Sequence, residues 1–179
     1  LEIINSLLDL SKIESGQMEI QKSEFNIENL FNDVVELLEP LMQEKALRHE
    51  LFIKCEQQII LHTDYGKLRQ VLINLLGNAI KFSDPEGQIW INCWKDDKTT
   101  SIAIKDNGCG IAEHEQKLIF EAFHQAESSE YNMQKGTGLG LALVSSLVKI
   151  LGGSISIKSE YGIGSTFTLH LGCKVNNLS

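Results

Sequence analysis

Lys135-Gly136-Thr137-Gly138-Leu139-Gly140-Leu141 places three glycines at alternate positions directly before an apolar run that continues to Leu151. A loop of this kind lets peptide N–H groups approach an anion closely, because glycine tolerates positive φ and carries no Cβ. The helix predicted over 139–151 adds the positive end of its dipole to the same spot. Taken alone, the stretch is also what a tight turn before a helix looks like. The reading therefore depends on what surrounds it.

Working back along the chain, Asp106-Asn107-Gly108-Cys109-Gly110-Ile111 follows a predicted strand over 100–105. A buried carboxylate at a strand end, flanked by glycines that bring the walls close, suits the exocyclic amine of adenine. A plain Asp-Asn-Gly turn gives the same letters. Further back, Asp64 is placed to cap a helix over 65–82. At about 100° per residue, Leu68, Leu72, Leu75, Leu76 and Ala79 fall on one side, and Asn74, Asn78 and Lys81 on the other. Polar helix faces are ordinarily only solvated, but asparagine is a mediocre helix former, so two of them one turn apart ask for a reason. Their carbonyl oxygens would suit a hard cation such as Mg²⁺.

The remaining periodicities predict the frame. Residues 1–14 read as the cut end of a longer amphipathic helix, stopped by Ser15-Gly16-Gln17. Met18 to Lys22 alternates like an edge strand. Asn26 caps a helix from Ile27 to about Leu47, with Leu30, Val34, Leu37, Leu38 and Leu41 on one side and Pro40 expected to bend it or end it early. Residues 51–54 and 59–62 look like a hairpin, and 88–94 and 100–105 like adjacent strands. A short helix is expected over 113–122. The polar, aperiodic stretch from His124 to Lys135 reads as a lid. Residues 154–159 and 166–171 form a last hairpin, and 174–179 a frayed tail.

Composition narrows the class. With 179 residues and 42% hydrophobic content, the chain can bury one sizeable core. The net charge of -8 disfavours nucleic acid as a partner. No apolar run approaches the roughly 18 residues of a membrane span, so the expectation is a cytoplasmic fragment with no membrane contact of its own, in a parent that leaves room for a membrane anchor upstream. Cys55, Cys93, Cys109 and Cys173 form no Cys-x-x-Cys pair, which argues against zinc and a disulfide framework.

The order of the motifs is specific: Asn-x-x-x-Asn-Ala-x-Lys-Phe-Ser from Asn74, Asp-x-Gly-x-Gly from Asp106, Phe-x-x-Phe from Phe120, Gly-Thr-Gly-Leu-Gly-Leu from Gly136, and Gly-Ser-Thr-Phe from Gly164. Together they resemble the ATP-binding domain of sensor histidine kinases, whose Bergerat fold is shared with gyrase-like ATPases. Leu68 to Ser83 and Ile119 to Ala126 are most similar to the hybrid subgroup, and Leu7 to Glu14 resembles the end of the second dimerisation helix. The resemblance implies an α/β two-layer sandwich: a mixed, mostly antiparallel sheet covered on one face by helices, with a flexible ATP lid. It divides the chain into a dimerisation-helix end (1–16), a catalytic ATP-binding domain (17–173) and a tail (174–179).

By the same resemblance Asp106 would bind the adenine amine with Thr166 supporting it through water, and Gly108, Gly110 and Ile111 would line the base. Asn78 and Asn74 would hold Mg²⁺, Lys81 would reach the phosphates, and Phe82 would line the base or ribose. Gly136, Thr137, Gly138, Leu139, Gly140 and Leu141 would offer the phosphate loop, preceded by Lys135, while Phe120 and Phe123 would anchor the lid. The implied chemistry transfers the ATP γ-phosphoryl group to a histidine on the dimerisation helices of a homodimer, then to an aspartate of a receiver domain, in the same polypeptide or a separate response regulator. The acceptor histidine itself is absent from this sequence: His49-Glu50-Leu51 lacks the following Arg-Thr-Pro and enters a strand. An amide at Asn74, where the chaperone and gyrase relatives carry a glutamate, disfavours hydrolysis. Asn132-Met133 stands where hybrid kinases commonly carry Arg-Lys, which leaves a nucleotide-sensing module or pseudokinase as the alternative.

Overall fold

The computed structural model describes residues 2–55, 58–125 and 136–172. Asn132, Met133, Lys135 and Cys173 lie outside the described residues, as do most of the expected lid and the whole expected tail. Helix α1 (Glu2–Glu14) is followed by β1 (Lys22–Asn26), α2 (Ile27–Glu44), β2 (Arg48–Lys54), β3 (Ile60–Asp64) and α3 (Tyr65–Phe82). Strands β4 (Gln88–Lys95) and β5 (Thr99–Asp106) come next, then a single 3₁₀ turn at Leu118–Phe120, α4 (Gly140–Ile150), β6 (Gly153–Glu160) and β7 (Gly164–Gly172). The main sheet has the order β2-β4-β5-β7-β6. Only its β2–β4 pair is parallel, so the expected mixed, mostly antiparallel sheet is what forms.

One face of that sheet carries the core. Ile89, Ile91 and Cys93 of β4, Ile102 and Ile104 of β5, and Phe167, Leu169 and Leu171 of β7 are buried with the apolar sides of α2, α3 and α4. Their spacing of two along each strand puts them on one side of the pleat. Burial pushes the Cys93 thiol up to about 12, so this cysteine is an inert core residue.

Helix α3 is the central element and forms where the sequence places it. Asp64 caps it, its side chain accepting the Lys67 N–H at 3.0 Å, and Leu68, Val71, Leu72, Leu75, Leu76, Ala79 and Ile80 are buried. Asn26 caps α2 in the same manner, accepting from the Glu28 N–H at 3.0 Å. Pro40 neither ends α2 nor shortens it by more than a few residues, since the helix runs on to Glu44. Both Pro40 and Glu36, whose carbonyl loses its helical donor, are exposed, so the break in the ladder falls on the solvent side of the helix. The apolar side of α2 is narrower than its sequence suggests: Leu30, Val34 and Leu38 are buried, but Leu37 and Leu41 are about half exposed, and Met42 takes the core position instead.

Two strand assignments differ from the sequence reading. The residues expected as a hairpin separate into different sheets: β2 runs parallel to β4, and β3 pairs with β1 in a small two-stranded sheet. The first strand is Lys22–Asn26 and not Met18 to Lys22, because Phe25 packs edge-on against Tyr65 at 4.9 Å and fixes the register with β3. The helix expected over 113–122 is a series of turns around the Leu118–Phe120 3₁₀ turn. Only Glu115 and Ile119 of that stretch are buried, too few for a continuous helical face.

Helix α1 docks through Leu10, which is buried, and through Asp9, which accepts a hydrogen bond from Gln70 Nε2 at 2.9 Å. Ile3, Ile4, Leu7 and Leu8 remain exposed. Among the described residues no helix is long and apolar enough to cross a membrane.

Candidate functional site

Helices α3 and α4 pack against each other, and the loop Gly136–Leu139 enters α4 beside the polar side of α3. A Cβ at Gly136 would sit 2.8 Å from the Lys81 ammonium, and one at Gly140 would sit 2.9 Å from Asn74 Oδ1. The glycine loop thus comes close to the polar side of α3 at two points, each facing the end of a side chain that can turn. Asn74 donates its Nδ2 to Gln70 O at 2.9 Å, which turns its oxygen toward the start of α4. Asn78 follows one turn later, half-buried on the same side. Leu139, at the N-cap of α4, supplies no side-chain cap, so the positive end of that helix stays open to an anion.

Within the loop, Thr137 Oγ1 accepts the Leu139 N–H at 3.2 Å and tightens the turn. Leu139 is fully buried in the core and Leu141 is half-buried, so their side chains anchor the loop. Burial lowers the Lys81 ammonium from its ordinary 10.5, and the amino group lies 5.0 Å from the Phe82 ring centre. A half-buried lysine, oxygen-bearing amides and an open helix end form a cradle suited to polyphosphate.

Asp106 stands at the end of β5, 5% exposed, and the loop after it meets the end of α3 where the Cys109 N–H donates to Phe82 O at 3.2 Å. Burial raises its carboxyl above the ordinary 3.8, against the opposing pull of N–H groups from Gly108 at 2.9 Å and Ser165 at 3.3 Å. Both of those bonds go to Oδ1. Gly108 and Gly110 are buried, and Ile111 is half-buried beside them. At Gly110 φ is +66°, and a Cβ there would collide with the carbonyl of Glu160. These glycines let the loop press against the protein's own backbone, and so fix the wall behind Asp106.

Thr166 is not beside Asp106. It faces Lys105 across β5–β7, on the opposite side of the sheet, and it is Ser165 that stands opposite Asp106. Alternation along the strand decides this, because Ser165 and the core residue Phe167 share a face that Thr166 does not. The two phenylalanines also divide: Phe120 packs edge-on against Phe167 at 6.3 Å, whereas Phe123 is 65% exposed. What anchors Phe123 is its backbone, whose N–H donates to Gly138 O at 2.9 Å.

Comparison with known proteins bears on the family and the fold. The sequence profile described as histidine kinase-, DNA gyrase B- and HSP90-like ATPase matches residues 63–174. The chain belongs to that family. This ATPase domain is 40% identical over 174 residues to the circadian input-output histidine kinase CikA of Synechococcus elongatus, covering 94% of the chain and 22% of CikA. It is 37% identical over 182 residues to hybrid signal transduction histidine kinase B of Dictyostelium discoideum, covering 99% of the chain and 9% of that protein. The full-length structure of ShkA in complex with AMPPNP superposes with a TM-score of 0.84 at 30% identity, over 95% of the chain and 35% of ShkA. The chain thus spans less than a quarter of the length of these two curated relatives. It is a catalytic domain of the histidine kinase type, and ATPase domains of this kind bind ATP.

Several supporting residues of this ATPase domain gave no signal in the sequence. Lys45, just past α2, donates to Ile80 O at 2.9 Å, Lys81 O at 2.7 Å and Ser83 O at 3.0 Å. The last four carbonyls of α3 all have partners: Ala79 O takes Ser83 N–H and Oγ, Ile80 and Lys81 take Lys45, and Phe82 takes the Cys109 N–H at 3.2 Å. Ser159 Oγ accepts the Ile111 N–H at 2.8 Å and reaches Ser165 Oγ at 2.9 Å, while Gln116 Nε2 donates to the carbonyls of Ile111 and Ser159. Together they tie the Asp106 loop to the β6–β7 hairpin.

Proposed function

We propose that this domain binds Mg-ATP in the cleft between α3 and α4 and passes the γ-phosphoryl group to a histidine on the dimerisation helices of a cytoplasmic, homodimeric hybrid histidine kinase. Asp106 accepts the adenine amine with Ser165 beside it, Gly108, Gly110 and Ile111 form the wall behind the base, and Phe82 lines the base or ribose. Lys81 and the N–H groups of the Gly136 to Leu141 loop hold the phosphates, that of Leu139 excepted, since it donates to Thr137 Oγ1. Oxygen-bearing amides fit a hard cation that keeps most of its shell from phosphates and water, so Asn78 and Asn74 are assigned to Mg²⁺. Mg²⁺ held there would supply neutralisation of phosphate charge; the chain's own task is to fix the triphosphate in place.

The observation that carries this reading is a single convergence. The loop that follows the buried Asp106 lies against the end of α3, and Lys81, Asn74 and the open end of α4 meet along the same helix. Asn74 donates within its own helix and offers no carboxylate to activate water, which favours transfer over hydrolysis. Residues 1–16 are assigned to the dimerisation helix, 17–173 to the catalytic domain and 174–179 to a tail. The exposed stripe Ile3, Ile4, Leu7 and Leu8 supports the first assignment, since the helix docks by one side and keeps a second apolar side for a helical partner. A receiver-domain aspartate is the onward acceptor.

Calorimetric titration with Mg-ATP tests the site: the native domain binds, and Asp106→Asn binds at least about tenfold more weakly, the loss of a charged hydrogen-bond acceptor. Equal affinity for both proteins refutes the adenine assignment. A longer chain that includes the preceding hairpin should form acid-labile phosphohistidine from labelled ATP, and failure to do so refutes the transfer step.

A further inference from the structure

Gln125 and Gly136 stand 11 residues apart in sequence, and the side chain of the first reaches the backbone of the second: Nε2 donates to Gly136 O at 2.7 Å. Two residues earlier, the Phe123 N–H donates to Gly138 O at 2.9 Å. Positions 123 and 125 thus grip positions 138 and 136 in antiparallel order. The first contact is made by main chain and the second by a side chain.

We propose that Gln125 is a positioning residue for the phosphate loop, setting the direction of the loop's N–H groups before a nucleotide arrives. The inference rests on the nucleotide reading above and assigns a role to a residue outside it. In a trans peptide the C=O and the following N–H point in opposite directions. Holding Gly136 O against Gln125 therefore aims the Thr137 N–H away from Gln125. The Phe123 contact does the same for the peptide of Gly138 and Leu139, whose N–H is already taken by Thr137 Oγ1. Glycine at 136 and 138 offers no side chain to hold the loop's orientation, so an external donor is needed to fix what the backbone leaves free. A donor is required specifically: a carboxylate at the same place would face the Gly136 carbonyl with like polarity and add negative charge beside the phosphates.

The test compares Gln125→Met, which keeps length without a donor, and Gln125→Glu, which reverses polarity, in the same chain. Affinity for Mg-ATP is measured by calorimetry and affinity for adenosine by nuclear magnetic resonance titration, which reads weak binding. Gln125→Met should weaken Mg-ATP by about fivefold, the scale of one neutral hydrogen bond. Gln125→Glu should weaken it further, and both should leave adenosine affinity and melting temperature at native values. Native Mg-ATP affinity in Gln125→Met overturns the inference alone, as does parallel loss of ATP and adenosine, which marks a merely structural role. Absence of nucleotide binding by the native chain overturns the nucleotide reading and this inference with it.

Discussion

Replacing Lys45 by Met should destabilise the domain by about 2–4 kcal/mol while leaving every nucleotide-facing side chain in place. The figure follows from what the ammonium does. It donates to three carbonyls at the end of α3, at 2.7 to 3.0 Å, and two of these belong to the last helical turn. A hydrogen bond to a charged group is worth about 1.5–3 kcal/mol net, and a cation at a helix C-terminus adds about 0.3–1 kcal/mol. The three bonds share one charge, and water can reach part of the site once the amine is gone, so the sum stays near one and a half such bonds. Met retains the aliphatic stem, which isolates the loss of the donor. In urea denaturation the midpoint should fall without a change of slope, and the melting temperature should drop by about 5–12 °C for a domain of this size. Phe82 O, the next carbonyl, receives the Cys109 N–H, so loosening the turn should also weaken Mg-ATP binding. A loss below about 0.5 kcal/mol would place Lys45 among ordinary surface lysines and refute the argument.

Two further perturbations separate packing from chemistry. Gly110→Ala combines a φ of +66° with a collision against Glu160 O, so it should cost about 2–5 kcal/mol, whereas Gly152→Ala, at φ +79° with open space around it, should cost only about 1–2 kcal/mol; thermal melts of both compare the terms. Asp106→Asn should raise or preserve the stability of the nucleotide-free domain at neutral pH. The sign follows from the raised carboxyl: its contribution to stability is fully present below its ordinary 3.8 and is lost as pH rises through the raised value, so the native protein should lose stability from about pH 4 upward at this site and the variant should not. Denaturation measured across that range checks the difference, and parallel pH profiles would refute it.

How far the sequence could be read depended on the range of the interaction responsible. Helix α3 was legible because Asp64, the apolar period and the polar residues 74, 78 and 81 are all local, and the hairpin of β6 and β7 was legible for the same reason. The partner of β2 was not, because nothing within Arg48–Lys54 says that it will lie parallel to β4 instead of pairing with β3. Lys45 was silent too: its three acceptors are 35 to 38 residues away in sequence.

The case of Ser165 and Thr166 shows why a site can be right in outline and wrong by one residue. Adjacent strand residues face opposite sides, so choosing the threonine of Gly-Ser-Thr-Phe as the neighbour of Asp106 puts its hydroxyl on the wrong face of the sheet. Phe167 settles the parity, since it must point into the core and carries Ser165 with it. That test needed no coordinates; it needed only the recognition that the apolar residue of the motif fixes the face. The glycines divide by the same logic of neighbours. Gly110 accommodates the protein's own backbone, while Gly136 and Gly140 face Lys81 and Asn74, side chains that can turn toward a ligand. Identical residue types in two glycine motifs therefore meet different neighbours, backbone in the first and the ends of side chains in the second.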